Sequence, residues 1–257
     1  GLLDPSLFTV VTKTLTLHLR EDNLRWYNGF TFDFETIARQ LYRVTKPGGV
    51  VVWVVGDSMV DGSETMTSAE QKIFFRKIGF NIHDTMIYRK SNFSHPEKAR
   101  YHQAFEYMFV FSRGAPKTFN PLMDRENLWA GSAPFGRNTM RNSDGTMGER
   151  AVHTIAKKGM RFNVWDLKTS GQENVCEEKI HPATFSEELA RDHILSWSNA
   201  GDVVLDPFAG SGTTLKAAMQ LERQYVGIEI SAEYVNEIIL PRLNGTTAPL
   251  ALFTEAA

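Results

Sequence analysis

At 257 residues, 42% hydrophobic and 23% charged, the chain has the composition of a folded globular protein with enough apolar side chains for a sizeable core, which excludes a disordered or low-complexity chain. A single cysteine, Cys176, excludes a disulfide framework and a cysteine-built metal site and suits a reducing, cytoplasmic setting; no apolar run reaches membrane-spanning length, and no metal is expected. The formal net charge of −2 argues against a nucleic-acid partner only until the charge is placed: from Arg113 to Arg161, nine Lys and Arg stand against four Asp and Glu, a local +5 that leaves −7 for the rest.

Residues 9–17 (TVVTKTLTL) have the β-branched content of a strand. Residues 32–44 (FDFETIARQLYRV) read as a helix, with Phe34, Ile37, Leu41 and Val44 at three- and four-residue spacing, broken by TKPGG. The run 50–57 (VVVWVVGD) is apolar without alternation, as in a strand buried on both faces of a parallel sheet. A helix over 68–80 is expected, capped by Ser68 and stopped at Gly79. Strands follow at 81–90 and 105–113, on either side of a polar loop. Residues 114–160 then lose periodicity and become rich in Gly, Asn, Ser, Thr, Met and Arg; a long irregular stretch inside a compact fold is usually functional or disordered. A short strand at 162–167 and a helix at 185–198 with Ser186 as its cap lead into the last part of the chain. There a strand ending DVVLDPF, a helix TTLKAAMQL, a strand YVGIEI and a helix SAEYVNEIILPRL alternate. Such alternation predicts an α/β fold, a mostly parallel sheet with helices on both faces and ligands at the carboxyl ends of the strands.

The loop between Asp206 and Thr214 (DPFAGSGTT) carries most of the chemical information. Its glycines let the backbone turn sharply beside a ligand, and the following helix presents unused N–H groups. A nucleoside triphosphate loop needs a lysine after the second glycine, and none follows Gly212. A dinucleotide fingerprint needs a third glycine where Leu215 stands, which disfavours a nicotinamide-dependent oxidoreductase. S-adenosylmethionine is the third candidate, with an amino-acid end to hold and no phosphates to cradle. Glu229, at the end of the next strand, has the chemistry to accept hydrogen bonds from both hydroxyls of a ribose, a need that dinucleotides and S-adenosylmethionine share.

DPFAGSGTT followed by YVGIEIS-x-x-Y resembles the cofactor motif of the amino-group DNA methyltransferases, which methylate adenine N6 or cytosine N4. The upstream run HPATFSEELARDHILSWSNAGDVVL is similar to the segment that leads into that motif in the family. LYRVTKPGGVVVWVVGD, FEYMFVFSRG and NVWDL also resemble family segments and stand in family order. The resemblance covers about residues 22–113 and 162–243. It implies a circularly permuted, Rossmann-like methyltransferase fold, with a catalytic half at 1–113, a target-recognition insertion at 114–161 and a cofactor half at 162–257. It implies S-adenosylmethionine as cofactor, lined by Asp206, Pro207, Phe208, Ala209, Gly210, Ser211, Gly212 and Thr213, with Glu229 on the ribose and Ile230 beside it. His181, Ala183 and Phe185 would pack against its methionine and adenine parts; Ser186 stands where the family usually has proline. Double-stranded DNA is the implied substrate, with Arg137, Arg141, Lys157, Lys158 and Arg161 as candidates for phosphate or base contacts. Relatives are often homodimers.

The family's chemistry rests on a [Ser/Asp/Asn]-Pro-Pro-aromatic tetrapeptide after the first strand. Its polar side chain and a proline carbonyl receive the two N–H bonds of the exocyclic amine, and its aromatic ring stacks on the flipped base. Positioning and electrostatics then carry an in-line methyl transfer. The corresponding positions here read His18-Leu19-Arg20-Glu21, followed by Asp22, with neither proline nor aromatic. Three accounts stand beside one another: a catalytically silent relative that binds cofactor or DNA, an altered or shortened N-terminal sequence, or substitution of function by Glu21, Asp22 and an aromatic such as Trp26 or Tyr27. Arg20 weighs against the last, because it puts a cation where two N–H donors must be received.

Overall fold

The computed structural model describes residues 8–14, 32–90, 100–133, 139–149, 153–167 and 186–243. The chain divides into two compact units, one formed by Gly1–Asn120 with Asn163–Ala257 and the other by Pro121–Phe162.

In the larger unit, β1 (Phe8–Thr14), α1 (Phe34–Val44) and β2 (Thr45–Val55) lead into a short hairpin of β3 (Met59–Val60) and β4 (Ser63–Glu64), then α2 (Thr67–Lys77), β5 (Asn81–Lys90) and β6 (Phe105–Ser112). The smaller unit holds β7 (Arg125–Glu126), β8 (Thr139–Arg141), β9 (Met147–Glu149) and β10 (Lys158–Gly159). The chain then returns to the larger unit with β11 (Val164–Leu167), α3 (Glu187–Trp197), β12 (Val203–Asp206), α4 (Thr213–Gln220) and β13 (Gln224–Gly227). A π-helical segment, Tyr234–Ile239, follows and runs into α5 (Leu240–Arg242).

Seven strands form one sheet in the order β11-β5-β6-β2-β1-β12-β13. β6 is antiparallel to both of its neighbours, and every other pair is parallel. From β1 the chain winds outward through β2 to β11, then crosses back to lay down β12 and β13 on the far side of β1. The winding reverses between β1 and β12, and in open α/β sheets the crevice outside the carboxyl ends of such strands receives ligands.

The continuous apolar run of β2 is explained by cover on both faces. On one face, Val51, Trp53 and Val55 pack with Phe109 and Phe111 against Ala38, Leu41 and Val44 of α1 and Phe75 of α2. The Phe75 ring stacks on Phe111 at 4.3 Å, and the Trp53 indole nitrogen donates to Gln71 Oε1 at 2.7 Å, which satisfies its only polar group inside the core. The alternate residues of β6 face the other way: Met108 Sδ lies 3.3 Å from Nε2 of the buried His193 on α3, whose ring stacks on Trp165 of β11. β2 starts at Thr45, directly after α1, where Thr45 pairs with Phe8 of β1; further along, Gly48 N donates to Arg113 O at 2.6 Å and Arg113 N to Gly49 O at 3.0 Å.

α1 starts at Phe34, two residues later than its periodicity predicts, with Asp33 at the cap position accepting from Thr36 N at 3.1 Å. α2 is not capped by Ser68. The cap position falls at Met66, in the left-handed region at φ 56, and Ser68 lies inside the first turn. The buried carboxylate of Asp57, just past β2, accepts from Ser68 N at 2.8 Å and Ser68 Oγ at 2.5 Å. An acid from a neighbouring strand thus satisfies the helix's first-turn donors.

The smaller unit is built from two antiparallel pairs. β7 pairs β10, with Lys158 opposite Glu126, and β8 pairs β9 across a turn in which Asp144 Oδ1 accepts from Thr146 N at 2.9 Å. Its two ends are tied by Arg161 N donating to Leu122 O at 2.9 Å, by an ion pair of Arg161 with Asp124, and by the Arg125 guanidinium lying 4.4 Å over the Phe162 ring.

Candidate functional site

β12 ends at Asp206 on the carboxyl edge of the sheet, next to the point where the winding reverses. Pro207–Gly212 turn the chain back into α4. Gly210 and Gly212 both adopt left-handed φ, 52° and 77°, which side chains with a Cβ rarely do. A Cβ at Gly212 would lie 3.4 Å from the Ile239 side chain, so the π-helical segment closes over the loop. The loop is zipped to the segment after β13 by Ile228 N to Asp206 O and Ala209 N to Ile228 O, each at 2.9 Å.

A third glycine is absent from the loop, and the close approach it would serve is met from the strand. A Cβ at Gly227 on β13 would fall 2.5 Å from Leu215 Cδ1 and 3.2 Å from Ala209 Cβ. Leucine on the helix fits because glycine is on the strand.

Glu229 lies two residues beyond β13. One carboxylate oxygen accepts from Gly210 N at 2.7 Å and the other from Ser231 N at 3.0 Å. A carboxylate has about four acceptor positions. Two are used by main-chain donors, which fix the carboxylate against the glycine loop and leave acceptors for two more donors, the number a vicinal diol presents. From the other side, Arg242 Nη1 donates to Ser211 O at 2.8 Å. Inside α4 the first bond is Lys216 N to Gly212 O at 2.9 Å, so the N–H groups of Thr213, Thr214 and Leu215 are not used within the helix.

Asp206 is fully enclosed. Burial pushes its carboxyl up to about 6 from the ordinary 3.8, with the nearby Glu229 charge adding to the rise; hydrogen bonds from Thr214 and from Phe208 N, the latter at 3.0 Å, pull against it. The site therefore holds an acid whose charge is expensive near neutrality and which a bound donor or cation would stabilise.

Asp206, Ala209, Gly210, Ser211, Gly212, Thr213 and Glu229 converge on this one loop and the segment that clamps it. Phe208 is half-buried and turned toward the core, its ring 5.8 Å from Phe32. Pro207 lies within the turn, and Ile230 is exposed. His181, Ala183, Phe185, Glu21, Asp22 and Arg137 lie outside the described residues. In the smaller unit, Lys158 pairs with Glu126 at 3.7 Å and Arg161 with Asp124, whose carboxyl is held below its usual range chiefly by the Arg161 hydrogen bond. Among the described residues, Arg141 and Lys157 carry no ion pair. Thr214, Ser231 and Arg242 escaped the sequence reading. Thr214 could have been found from the doubled threonine at the helix start, whereas Arg242, thirty-one positions from Ser211, left no local signal. Among the described residues, no three His, Cys, Asp or Glu side chains are grouped as metal ligands, and no helix is long and apolar enough to cross a membrane.

Residues 18–240 match the family model of the N6/N4 DNA methylases. The orphan methyltransferase M.BamHII of Bacillus amyloliquefaciens is 52% identical over 216 residues, which cover 83% of this chain and 82% of that one. The structure is similar to a Thermus thermophilus protein described as a DNA modification methylase and complexed with S-adenosyl-L-methionine, at TM-score 0.60 and 25% identity, covering 100% of this chain and 94% of that one. It is also similar to the cytosine-N4-specific PvuII DNA methyltransferase, at TM-score 0.61 and 16% identity, covering 90% and 78%. The fold is that of the circularly permuted methyltransferases, with the strand β12 and its glycine loop late in the chain.

Proposed function

The chain belongs to the N6/N4 DNA methylase family, and from that premise we propose that it is a site-specific DNA methyltransferase that moves a methyl group from S-adenosylmethionine to an exocyclic amine, cytosine N4 or adenine N6, of a base flipped out of double-stranded DNA. The observation that carries this reading is the Glu229 carboxylate, locked by Gly210 N and Ser231 N with two acceptors to spare, beside a glycine loop that follows the buried Asp206. Glu229 receives the ribose hydroxyls. Asp206 and the Thr213 N–H at the start of α4 face the amino-acid end. The role of 114–161 in this reading is target recognition, with Arg141 and Lys157 on phosphate.

The acceptor side of the chemistry is carried by residues 18–22. There the family tetrapeptide is replaced by His18-Leu19-Arg20-Glu21, with Asp22 next; Glu21 and Asp22 are the carboxylates at hand to receive amine hydrogens, and the Arg20 cation in the same stretch opposes that role. The same replacement favours a second reading, a silent homologue that binds cofactor or DNA without transferring methyl. Incubation with S-adenosylmethionine and unmethylated DNA, digestion to nucleosides and mass spectrometry separates the two. N6-methyladenine or N4-methylcytosine above background establishes the enzyme and names the base. Neither product, from protein shown by calorimetry to bind the cofactor, establishes the silent homologue.

A further inference from the structure

The smaller unit carries an apolar tip on a rigid base. The turn Asn127–Ser132 is fastened to residues 155–157: Asn127 N donates to Lys157 O at 3.0 Å, Asn127 Nδ2 to Ala156 O at 2.8 Å, Gly131 N to Ile155 O at 2.9 Å and Ile155 N to Ser132 O at 3.0 Å. Ser132 closes the turn, its N and Oγ both donating to Trp129 O at 3.1 and 2.6 Å. On this fixed backbone Leu128 and Trp129 are 95% and 67% exposed. Elsewhere in the unit an exposed ring is occupied, since Arg125 covers Phe162. Among the described residues, no ring or cation faces Trp129.

The charge around the tip selects its occupant. Lys157, whose carbonyl anchors the turn, carries no ion pair among the described residues, and from Pro121 to Phe162 seven Lys and Arg stand against four Asp and Glu. A second copy of the chain would bring the same excess of cations to the contact. Duplex DNA brings phosphates, and between them apolar base faces that an inserted side chain can press against. We propose that Leu128 and Trp129 form an apolar wedge that enters the base stack of duplex DNA while Lys157 engages a flanking phosphate. The inference rests on the reading of the chain as a DNA-binding protein and goes beyond it, because it assigns the contact to a turn whose residues are uncharged.

The test uses the full chain and a set of duplexes with 2-aminopurine at successive positions, binding being followed by anisotropy at several salt concentrations. Binding of the unaltered chain is expected to raise 2-aminopurine emission at one step. Trp129→Ala is expected to abolish most of that rise and to weaken binding about tenfold without changing the slope of log K against log salt. Trp129→Phe should restore most of both. Lys157→Gln should keep the emission rise and reduce the slope by about one. Duplex binding and emission that are the same for Trp129→Ala as for the unaltered chain overturn the wedge and leave the proposed function standing. So does a Trp129→Ala change in the sedimentation of the free chain, which would assign the tip to a second copy. An unaltered chain that binds no duplex at any salt concentration and transfers no methyl group overturns both.

Discussion

Asp206 allows the glycine loop to be tested without turnover. Its carboxyl titrates near 3.8 in the unfolded chain and is pushed up to about 6 in the folded one, mainly by burial. The folded state therefore holds a proton at pH values where the unfolded chain has released it. Below the unfolded value both states are neutral and Asp206 costs nothing; as pH rises toward 6 the folded state is progressively penalised, and above 6 the penalty is constant. Its full size is about 3 kcal/mol, and the part falling between pH 4.5 and 7.5 is about 2 kcal/mol. Asp206→Asn removes the titration while Oδ1 keeps the bond from Phe208 N. Urea unfolding of both cofactor-free proteins across this range should show the wild type losing about 2 kcal/mol relative to the variant as pH rises. Parallel curves, or a wild type that gains on the variant with rising pH, would show that the carboxyl is not enclosed as described. The same group sets a ligand expectation: if S-adenosylmethionine offers Asp206 a donor or its ammonium, affinity weakens below pH 6, by at most about tenfold per pH unit.

Three further substitutions probe the same architecture. Glu229→Gln keeps an acceptor for one main-chain N–H and turns an NH2 toward the other; S-adenosylmethionine affinity by calorimetry should fall at least about tenfold for about 1 kcal/mol of stability. An affinity that does not change would remove Glu229 from the site. Gly212→Ala must hold φ 77° with a Cβ against Ile239, so about 1–2 kcal/mol of stability and a fall in Tm of about 2–6 °C are expected together with weaker cofactor binding. Asp57→Ala strips two hydrogen bonds from the first turn of α2 and should cost about 2 kcal/mol in chemical unfolding, with partial recovery in Asp57→Asn, whereas a cost under about 0.5 kcal/mol would mean that the helix start is satisfied in another way.

Much of the fold is written locally. Periodicity in FETIARQLYRV and the unbroken VVVWVV run give α1 and β2, because each element's own side chains decide which face is covered. The loop from Asp206 to Gly212 is equally local, since its turn needs glycines at fixed positions. What the sequence hides is supplied from a distance. Ser68 has the residue type and position of a cap, but Asp57, eleven residues upstream, reaches its N–H first. A missing third glycine reads as a departure from the dinucleotide pattern until Gly227 is seen to give Leu215 its room. A count of cations between 113 and 161 treats Arg161 and Lys157 alike, although Asp124 holds the first and no ion pair among the described residues holds the second. Counts of charge say how much is present; only pairing says how much is available to a phosphate.

The strand order separates binding from chemistry within one chain. Val11 of β1 pairs in parallel with Leu205 of β12, so the carboxyl ends of the two strands lie on the same edge of the sheet. Positions 18–22 begin four residues after Thr14 in sequence and lie outside the described residues. The hydrogen bonds that join the loop to Ile228, Glu229 and Arg242 come from residues later in the chain than Asp206, while Phe32 packs on Phe208 from before it. A replacement at His18–Glu21 therefore leaves the loop's own support in place. Cofactor binding should persist whatever those residues do, and calorimetry with S-adenosylmethionine reports on binding apart from methyl transfer. Methyl transfer reports on 18–22 as well. A chain that binds without transferring would locate its defect in that stretch, and restoring the whole tetrapeptide (His18→Asp, Leu19→Pro, Arg20→Pro, Glu21→Tyr) should then restore product with the cofactor Kd unchanged; product that stays absent after the restoration would place the missing function elsewhere.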